Sequence, residues 1–511
     1  MDTSDRPDPA LEPVEPDQPL AIIPVVEYEQ APTFAQYGPP PMSPPPPPPK
    51  PAGPPKSVTG AALLNLTGLG LGYAYLRNHV LAVLAFLLTG GAVTVAFLTG
   101  AADRPWLWRG AVLGWLVLLA LHAAFLASRR APGPRTRGPV LAGVVAVAVV
   151  AAGYAGYGVA GAAAYDRGVA AQEAGDCVAA ADAFDTVTGP FELTLSADVL
   201  DARDRSAECA AYEKARAAQN RDDYESAIVL YDDFGKLYPD SVLSPYVRDN
   251  LADTHFAKAT SWQEPVTAVV ARLSVDTLLM LGREFGDTDA AKQAPAAIDD
   301  VFAAATKPYG AGKFCDSLEV LTYFAGLDAT SVGKKVSADA NTFRARSLYE
   351  CGMRQYRDKK LSQAVTTFGM FLTGYPKDRR AAQVKAARIA AEVAAAAKVT
   401  IPVPPPLGGN NPGPIPITFY NDSQDAVTIY IAGPTAHEIT LPACPSCPAT
   451  YPENDPAACA NLNGRPSVTV RLKTSTYYYL ATSSAWTEGL AEPITLEANY
   501  EYEQCLFTTP H

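Results

Sequence analysis

The sequence predicts a multi-domain membrane protein in which transmembrane α-helices come first, an all-α helical-repeat solenoid follows, and a small all-β sandwich or barrel ends the chain. Three observations predict this order. Charge-free apolar runs cluster between residues 57 and 165, helical spacing of apolar residues repeats between 166 and 398, and alternating apolar residues follow residue 416. All eight cysteines come after the last apolar run, which indicates that this part of the chain faces an oxidising compartment.

Residues 1–56 form a proline-rich tail that we expect to be disordered. The tail holds 19 of the 46 prolines, including six in a row at Pro44–Pro49, and eight acidic residues against three basic ones. So few apolar groups cannot offset the entropy lost on ordering, about 1–2 kcal/mol per residue. A solvated spacer is the favoured interpretation, and a ligand for a proline-reading domain is the alternative.

Residues 57–165 are predicted to be a transmembrane block of about four helices. The last apolar run, Gly138–Tyr165, has 28 residues without a charge, and a helix needs about 20 such residues to cross a bilayer. The earlier runs are Ser57–Leu76, Val80–Ala102 and Gly110–Ser128. The first contains polar residues and a GLGLG segment, so a re-entrant first segment followed by three spans is the alternative. GLGLG resembles a nucleotide loop, but its place in an apolar run predicts helix packing instead.

The arginines before the last span predict its orientation. Arg129, Arg130, Arg135 and Arg137 form the largest positive cluster near the membrane, so their loop should be cytoplasmic. We therefore expect a multi-pass plasma-membrane protein with residues 166–511 extracytoplasmic. The proline-rich tail would lie outside with four spans and inside with three, and the sequence leaves both open. Small residues in the last span, such as Gly156-x-x-x-Ala160 and Gly158-x-x-x-Ala162, predict close packing against neighbouring helices and would also permit a homo-oligomer.

Residues 166–398 contain five repeats. Their equivalent reference positions, spaced by 47, 47, 43 and 47 residues, are Cys177, Tyr224, Ala271, Phe314 and Leu361. A small residue follows each reference position by three, a large one follows by seven, and an apolar one follows by ten. This spacing makes one stripe of a helix, with close approach of a neighbour at the small position. Nine residues before each reference position, four of the five residues are small, so each unit is predicted to be a helical hairpin.

These units resemble tetratricopeptide repeats. The segment Tyr224-x-x-Ala227-x-x-x-Tyr231, followed by Tyr238-Pro239-Asp240-Ser241, is similar to the repeats of bacterial envelope proteins such as the outer-membrane assembly lipoprotein. Residue usage in the whole chain resembles that of actinobacterial membrane proteins. The resemblance implies a concave surface that holds a protein or peptide, and it implies no reaction. The period of 47 exceeds the family's usual 34, so longer helices or loops are required.

Residues 399–416 form a proline- and glycine-rich linker, and residues 417–511 are predicted to be a disulfide-stapled β domain. Five segments have the alternation of strands: Ile417–Asn421, Ala426–Ala432, Ser467–Lys473, Thr476–Thr482 and Tyr500–Phe507. A sandwich of this size gains roughly 2–4 kcal/mol from each staple.

The eight cysteines are the candidate site residues. For Cys444, Cys447, Cys459 and Cys505, two structural disulfides fit the compartment best, with a zinc site and a redox-active CxxC pair as the alternatives. The other four repeat one arrangement, which predicts the bridges Cys177–Cys209 and Cys315–Cys351. Because Cys209 precedes the end of its helix by about 15 residues, or about 22 Å, that helix must bend or the pairing is wrong. Buried free thiols are the alternative.

The composition predicts binding rather than catalysis. The net charge of −12 argues against nucleic-acid partners, and no lysine or arginine run outside the membrane-flanking loop predicts a basic patch. No two of the five histidines have metal-ligand spacing, so no metal, cofactor or catalytic residue is expected. His122 is interpreted as a packed polar residue. We expect an extracytoplasmic scaffold that contacts the lipid bilayer and binds protein or peptide partners. The alternatives are an envelope thiol–disulfide oxidoreductase using Cys444 and Cys447, and a membrane sensor or transport component.

Overall fold

The computed structural model describes residues 56–129, 137–407, 413–452, 455–484 and 489–509. The proline-rich tail up to residue 55, Arg130, Arg135 and residues 408–412 of the linker lie outside the described residues. Within the described part, helices precede strands throughout, as the sequence predicts. The helices are α1 Val58–Asn65, α2 Leu71–Tyr75, α3 His79–Leu98, α4 Pro105–Ser128, α5 Arg137–Glu173, α6 Cys177–Thr188, α7 Ala197–Gln219, α8 Tyr224–Leu237, α9 Ser244–Thr260, α10 Ala268–Glu284, α11 Asp289–Ala305, α12 Lys307–Gly310, α13 Leu318–Ala325, α14 Ala329–Val332, α15 Lys334–Arg357, α16 Leu361–Gly374 and α17 Ala381–Ala397.

Three of the described helices, α3, α4 and α5, are long and apolar enough to cross a membrane. Their side chains are largely exposed along the apolar stretch, as expected for helices that lie in lipid. The prediction that Gly156 and Gly158 pack against neighbouring helices of the same chain is wrong. A Cβ built at either glycine would meet no atom within 4 Å among the described residues.

The first apolar run, Ser57–Leu76, does not form a single spanning helix, which agrees with the re-entrant alternative. It consists of the short helices α1 and α2 with a turn between them, where Gly68 and Gly70 have left-handed φ angles of 76° and 72°. The GLGLG segment therefore ends one helix and starts another. Its glycines also allow close helix packing, as predicted, because a Cβ at Gly72 would overlap the Ala61 carbonyl oxygen. Asn65 caps this turn, because its Oδ1 accepts from the Gly72 backbone N–H at 2.7 Å.

The helix α5 joins the membrane block to the repeats without a break. It has 37 residues, about 55 Å of helix, so it exceeds the length of a span by several turns. The loop between α3 and α4 contacts the loop between α6 and α7 near this helix. Arg203 pairs with Asp103 of the first loop at 2.5 Å and with the buried Glu192 of the second at 2.8 Å. The first repeat is thus held against the ends of the predicted spans.

The stripe predicted for the repeats is buried at every position. The small residue three places after each reference position has at most 6% exposure, in the set Ala180, Ala227, Ser274, Ser317 and Ala364. The residues seven and ten places after are at most 1% exposed, in the set Phe184, Tyr231, Leu278, Leu321, Phe368, Val187, Phe234, Leu281, Phe324 and Phe371. At Gly168 and Gly352, a Cβ would lie 2.5 Å from the ring of Phe184 and Phe368 respectively, so the preceding helix crosses closely as predicted.

Two long helices contribute to a period that exceeds 34 residues. The 23-residue α7 packs on α6 with its first half and on α8 with its second half, and the 24-residue α15 does the same with α13 and α16. The second unit therefore begins where the first one ends. Tyr246 at the start of α9 lies on Gly175 in the α5–α6 turn, and its hydroxyl donates to the Glu173 carbonyl at 3.0 Å. Successive units are stacked partly end to end.

One left-handed residue marks the turn between the two helices of a unit. It lies two places before the reference position in four of the five units, at Gly175, Asp222, Gly312 and Lys359. This shared backbone conformation supports the assignment of equivalent positions from the sequence. The third unit lacks it, and there the segment from Ser261 to Thr267 contains the cis peptide bond Glu264–Pro265.

The last helix, α17, connects the helical region to the β domain. It is buried on most sides, because α16 contacts one side and the four-stranded sheet contacts another. Lys385 and Arg388 of α17 face Glu438 of the sheet, with the Lys385 ammonium 2.8 Å from its carboxylate. The described start of the linker runs back along α17, where the Leu407 N–H donates to the Ala382 carbonyl. The β domain is therefore packed against the last repeat.

The β domain has two sheets around a shared apolar core. One sheet has the order β4-β1-β7 and the other the order β3-β2-β5-β6. The strands are β1 Ile415–Asn421, β2 Val427–Ala432, β3 Ala436–Leu441, β4 Ser467–Leu472, β5 Ser475–Ser483, β6 Leu490–Leu496 and β7 Tyr502–Leu506. The five predicted strands are present, and β3 and β6 were not predicted. Both are edge strands of the larger sheet, where Pro493 and charged residues such as Glu438 are tolerated, so their alternation is weak.

We predict that Gly352→Ala destabilises the protein by about 1–3 kcal/mol, because the new methyl group would overlap the buried Phe368 ring. The matched control is Gly369→Ala in α16, where a Cβ meets no described atom within 4 Å. The control should stabilise the protein by about 0.5–1 kcal/mol through helix propensity. Thermal unfolding of the full chain in detergent measures both, and equal effects of the two substitutions would show that the close approach is wrong.

We also predict a pH-dependent contribution from Asp378 in the α16–α17 turn. Hydrogen bonds from Arg380 lower the pKa of Asp378 to about 2, from an ordinary value of about 4. Because the folded-state pKa is lower, the contribution to stability is complete above about pH 4 and is lost as the pH falls towards 2. Asp378→Asn should cost about 1 kcal/mol at pH 7, since the pair is partly exposed, and nothing near pH 2. The exposed Asp300→Asn is the control. A constant difference across this pH range would contradict the prediction.

Candidate functional site

The eight cysteines form four pairs at disulfide distance. The predicted pairs Cys177–Cys209 and Cys315–Cys351 are present, with Cα atoms 5.0 and 4.9 Å apart. In the β domain, Cys444 pairs with Cys447 and Cys459 pairs with Cys505. Cys177 is the first residue of α6 and Cys315 lies in the turn before α13, and each is bridged to a long helix of the next unit.

The expectation that the helix containing Cys209 must bend is wrong. The helix α7 is continuous from Ala197 to Gln219. Cys177 is the first residue of α6, and α6 and α7 run past each other from a common loop, so the cysteines meet after about equal lengths of helix. The remaining part of α7 extends beyond Cys209 to pack on α8. Sequence reasoning identified the correct pair of helices and missed that α6 and α7 run antiparallel from their common loop.

A buried polar cluster lies beside the disulfides of the β domain, and the sequence did not predict it. Asp422, which is 1% exposed, follows β1. Its Oδ1 is 3.0 Å from the Arg465 Nε, and its Oδ2 accepts from the Tyr451 hydroxyl at 2.8 Å and from the Cys459 N–H at 3.1 Å. This carboxylate therefore ties together three loop segments that contain no regular secondary structure. A buried charge of this kind persists only where such partners compensate its desolvation.

The CxxC pair lies on the edge of this cluster. The Arg465 Nη1 is 3.3 Å from the Cys444 sulfur, where a cation would stabilise a thiolate after reduction. However, Cys444 and Cys447 are each 3% exposed, so a dithiol partner has little access to either sulfur. The loop that holds them connects strands, and it lacks the helix N-terminus that activates many redox cysteines. This geometry favours the structural interpretation.

The alternative of a zinc site requires thiolate ligands that are not engaged in disulfides. Within the described residues, one group has metal-ligand proximity, comprising Asp422, Cys459 and Cys505. The two cysteines are bonded to each other, and Arg465 already neutralises the carboxylate. This group consequently offers no unengaged thiolate for the ion.

A polar network lies among the apolar helices. The Asn65 Nδ2 donates to the Leu119 carbonyl at 3.2 Å, and the Tyr73 hydroxyl lies 2.7 Å from the His122 Nδ1. His122 therefore has a hydrogen-bond partner on α2, although its side chain is exposed among the described residues. These contacts join α1 and α2 to α4 and satisfy the polar groups that they involve.

Among the described residues, three surface pockets lie along the helical region. Two of them, of about 330 Å³ each, flank α11. The third, of about 250 Å³, lies at the end of the last unit between the turn after α15 and the end of α17. Its lining includes Tyr356, Lys359, Leu361, Lys398 and Ile401. Sequence reasoning missed this pocket, because its two lysines are distant in the chain and neither belongs to a motif.

A scan against models of known protein families and a search of curated proteins found no match to this chain.

We predict that Asp422→Asn destabilises the β domain by about 3–5 kcal/mol, because it leaves Arg465 without its buried counter-charge. The matched control is Asp425→Asn in the same loop, where only the backbone carbonyl makes described hydrogen bonds. Limited proteolysis of the full chain should release fragments of the β domain in the first variant alone. Equal protease resistance of the two variants would contradict a structural role for the cluster.

Proposed function

We propose that this chain is a multi-pass plasma-membrane scaffold that presents its helical repeats and β domain outside the cytoplasm to bind protein or peptide segments. The observation that carries the proposal is the unbroken helix α5. This helix has a span's length of apolar residues at one end and the first repeat at the other. An anchor without a flexible joint suits a scaffold that must hold its partner at a defined distance from the membrane.

The proposed orientation rests on charge and on the disulfides. The loop before α5 carries the densest group of arginines near the spans, which favours a cytoplasmic position. Residues from about 166 onwards then lie outside, together with four disulfides that require an oxidising compartment. The short loop between α3 and α4, which contacts the first repeat, lies on the same outer side.

The arrangement of α1 and α2 favours three spans over four. Ser57 at the start of α1 donates its N–H to the Tyr75 hydroxyl at the end of α2, so the hairpin enters and leaves at one side. A Cβ at Gly60 in α1 would lie 2.9 Å from Pro139 at the start of α5, near the arginine-rich loop. We therefore place Lys56 on the cytoplasmic side.

The binding role rests on the repeats. Their buried stripe and shared turn conformation support a relationship to tetratricopeptide repeats, in which longer helices serve two neighbouring units. Stacked helical hairpins expose an extended surface along which a polypeptide can lie. Three surface pockets of about 250–330 Å³ lie along this region of the described chain.

The alternatives have weaker support. The thiol–disulfide oxidoreductase needs access to Cys444 or Cys447, and both are buried. The sensor or transport component needs polar groups along a path through the spans, and the polar side chains around His122 are engaged with one another at one end. A homo-oligomer remains part of the proposal, because Gly156 and Gly158 leave room for a second helix.

Cysteine accessibility tests the proposal. We expect a membrane-impermeant maleimide to label Lys334→Cys in intact cells, because Lys334 is exposed at the start of α15 in the external region. The same reagent should not label Arg137→Cys or Lys56→Cys until the membrane is permeabilised. Labelling of position 137 in intact cells, or protection of position 334, would overturn the orientation. Labelling of position 56 in intact cells, with position 137 still protected, would favour the four-span alternative over three spans.

A further inference from the structure

The end of the last repeat differs from the first repeat in what covers its turn. The turn that holds Gly175 in the first unit is covered by Tyr246 of the third. The equivalent turn of the fifth unit follows α15, and within the described residues no further unit of the repeat stacks on it. The pocket of about 250 Å³ lies here, between this turn and the end of α17.

Two lysines flank this pocket, and each has an unusual backbone conformation. Lys359 and Lys398 have left-handed φ angles of 58° and 55°. Glycine occupies the position of Lys359 in the first and fourth units. The left-handed conformation costs a residue with a Cβ about 1 kcal/mol or more, and a lysine recovers only part of this from the end of its helix. Among the residues that the structure describes, neither ammonium has a carboxylate at ion-pair distance.

The walls of the pocket are apolar. Leu361, Ala394, Val399 and Ile401 line it, and the Tyr356 hydroxyl is already engaged with the Ile401 carbonyl at 2.6 Å. The pocket therefore combines two cations with an aliphatic surface. A bare anion would contact only the two lysines. A ligand with an apolar group beside its negative charge would contact the lysines and the aliphatic surface.

The part of the helical region that holds the pocket has a net positive charge. Residues 301–398 contain 16 basic and 8 acidic residues, a net charge of +8, whereas residues 166–300 contain 12 basic and 26 acidic residues, a net charge of −14. The whole-chain charge of −12 hides this segregation. The basic region already receives one acidic protein element, because Lys385 and Arg388 face Glu438 of the β domain.

We propose that this pocket, which we call the terminal lysine pocket, binds an acidic peptide segment in which a carboxylate adjoins an aliphatic side chain. The two ammoniums hold the carboxylates, and the aliphatic side chain enters between α15 and α17. The inference rests on the proposed binding function and names the class of its partner. Long-range attraction by the basic end brings such a segment to the pocket, while the net negative region nearer the membrane repels it.

Fluorescence anisotropy with the full chain in lipid nanodiscs tests this proposal. The probe is a short fluorescein-labelled peptide of glutamate and leucine. Lys359→Glu combined with Lys398→Glu should weaken its binding by about ten-fold or more, because each exposed pair changes from attraction to repulsion. The matched control, Lys334→Glu combined with Lys377→Glu, makes the same charge change at exposed positions outside the pocket and should change binding less than about three-fold.

A second variant tests the apolar wall without changing charge. Ala395 is exposed and lines the pocket, so Ala395→Phe should fill the space and weaken binding of the leucine-containing peptide. A peptide with serine in place of leucine should bind more weakly to the unaltered chain and should be insensitive to this variant. Both results are expected if the side chain enters the pocket.

Three results would overturn the proposal. One is binding that falls equally in the pocket and control variants, because general charge would then suffice. Another is a combined result in which polyphosphate competes as strongly as the unlabelled peptide and replacement of leucine by serine does not change the affinity. That result would assign the pocket to an anionic polymer. The third is absence of binding by any acidic peptide. The proposed orientation is tested separately by the labelling of positions 137 and 334. A failure of the pocket proposal therefore does not decide whether the chain is an external scaffold.

Discussion

The close contact between a small residue on one helix and a buried ring on the next is the constraint on which the helical region depends. At Gly168 and Gly352 the two helices approach so closely that the ring occupies the space of a side chain. At Gly352 this approach aligns α16 with one part of the long helix α15, while α13 of the preceding unit packs on another part. The long helix α7 likewise contacts α8 of its own unit and α6 of the preceding unit. This sharing of long helices contributes to the unusual period of the sequence.

The disulfides reinforce the same junctions. Each bridge of the helical region connects the start of a short helix with the middle of a long one, where two units meet. In the β domain, the bridges and the Asp422–Arg465 pair hold loops that the two sheets leave without ladder hydrogen bonds. Restraints beyond apolar packing thus lie both in the core between helical units and in the loops of the β domain. The disulfides act mainly by limiting the unfolded chain, and their benefit grows slowly with the length of the loop that they close.

Much of the fold could be predicted because it depends on spacing within single helices. The positions of Ala180, Phe184 and Val187 define a face that only a helix places together, and the structure buries this face in all five units. Contacts between distant elements were less accessible. The sequence did not show that α7 serves two partners, so the Cys177–Cys209 pairing was predicted with the wrong geometry. The edge strand β6 contains Pro493, which weakens its strand signal. The terminal lysine pocket depends on a turn and a helix end that lie 39 residues apart, and only the folded chain brings Lys359 and Lys398 together.

The bridges between successive units also determine how the helical region would respond to tension. A pull applied between α5 and the far end of the repeats would act along the stacked units. The bridges close segments with sequence separations of 32 and 36 residues, and those segments cannot lengthen while the sulfur–sulfur bonds persist. Extension would then fall on helices outside the bridged segments, such as α8 to α11. The oxidation state of these four cysteines would set the mechanical reach of the helical region as well as its stability.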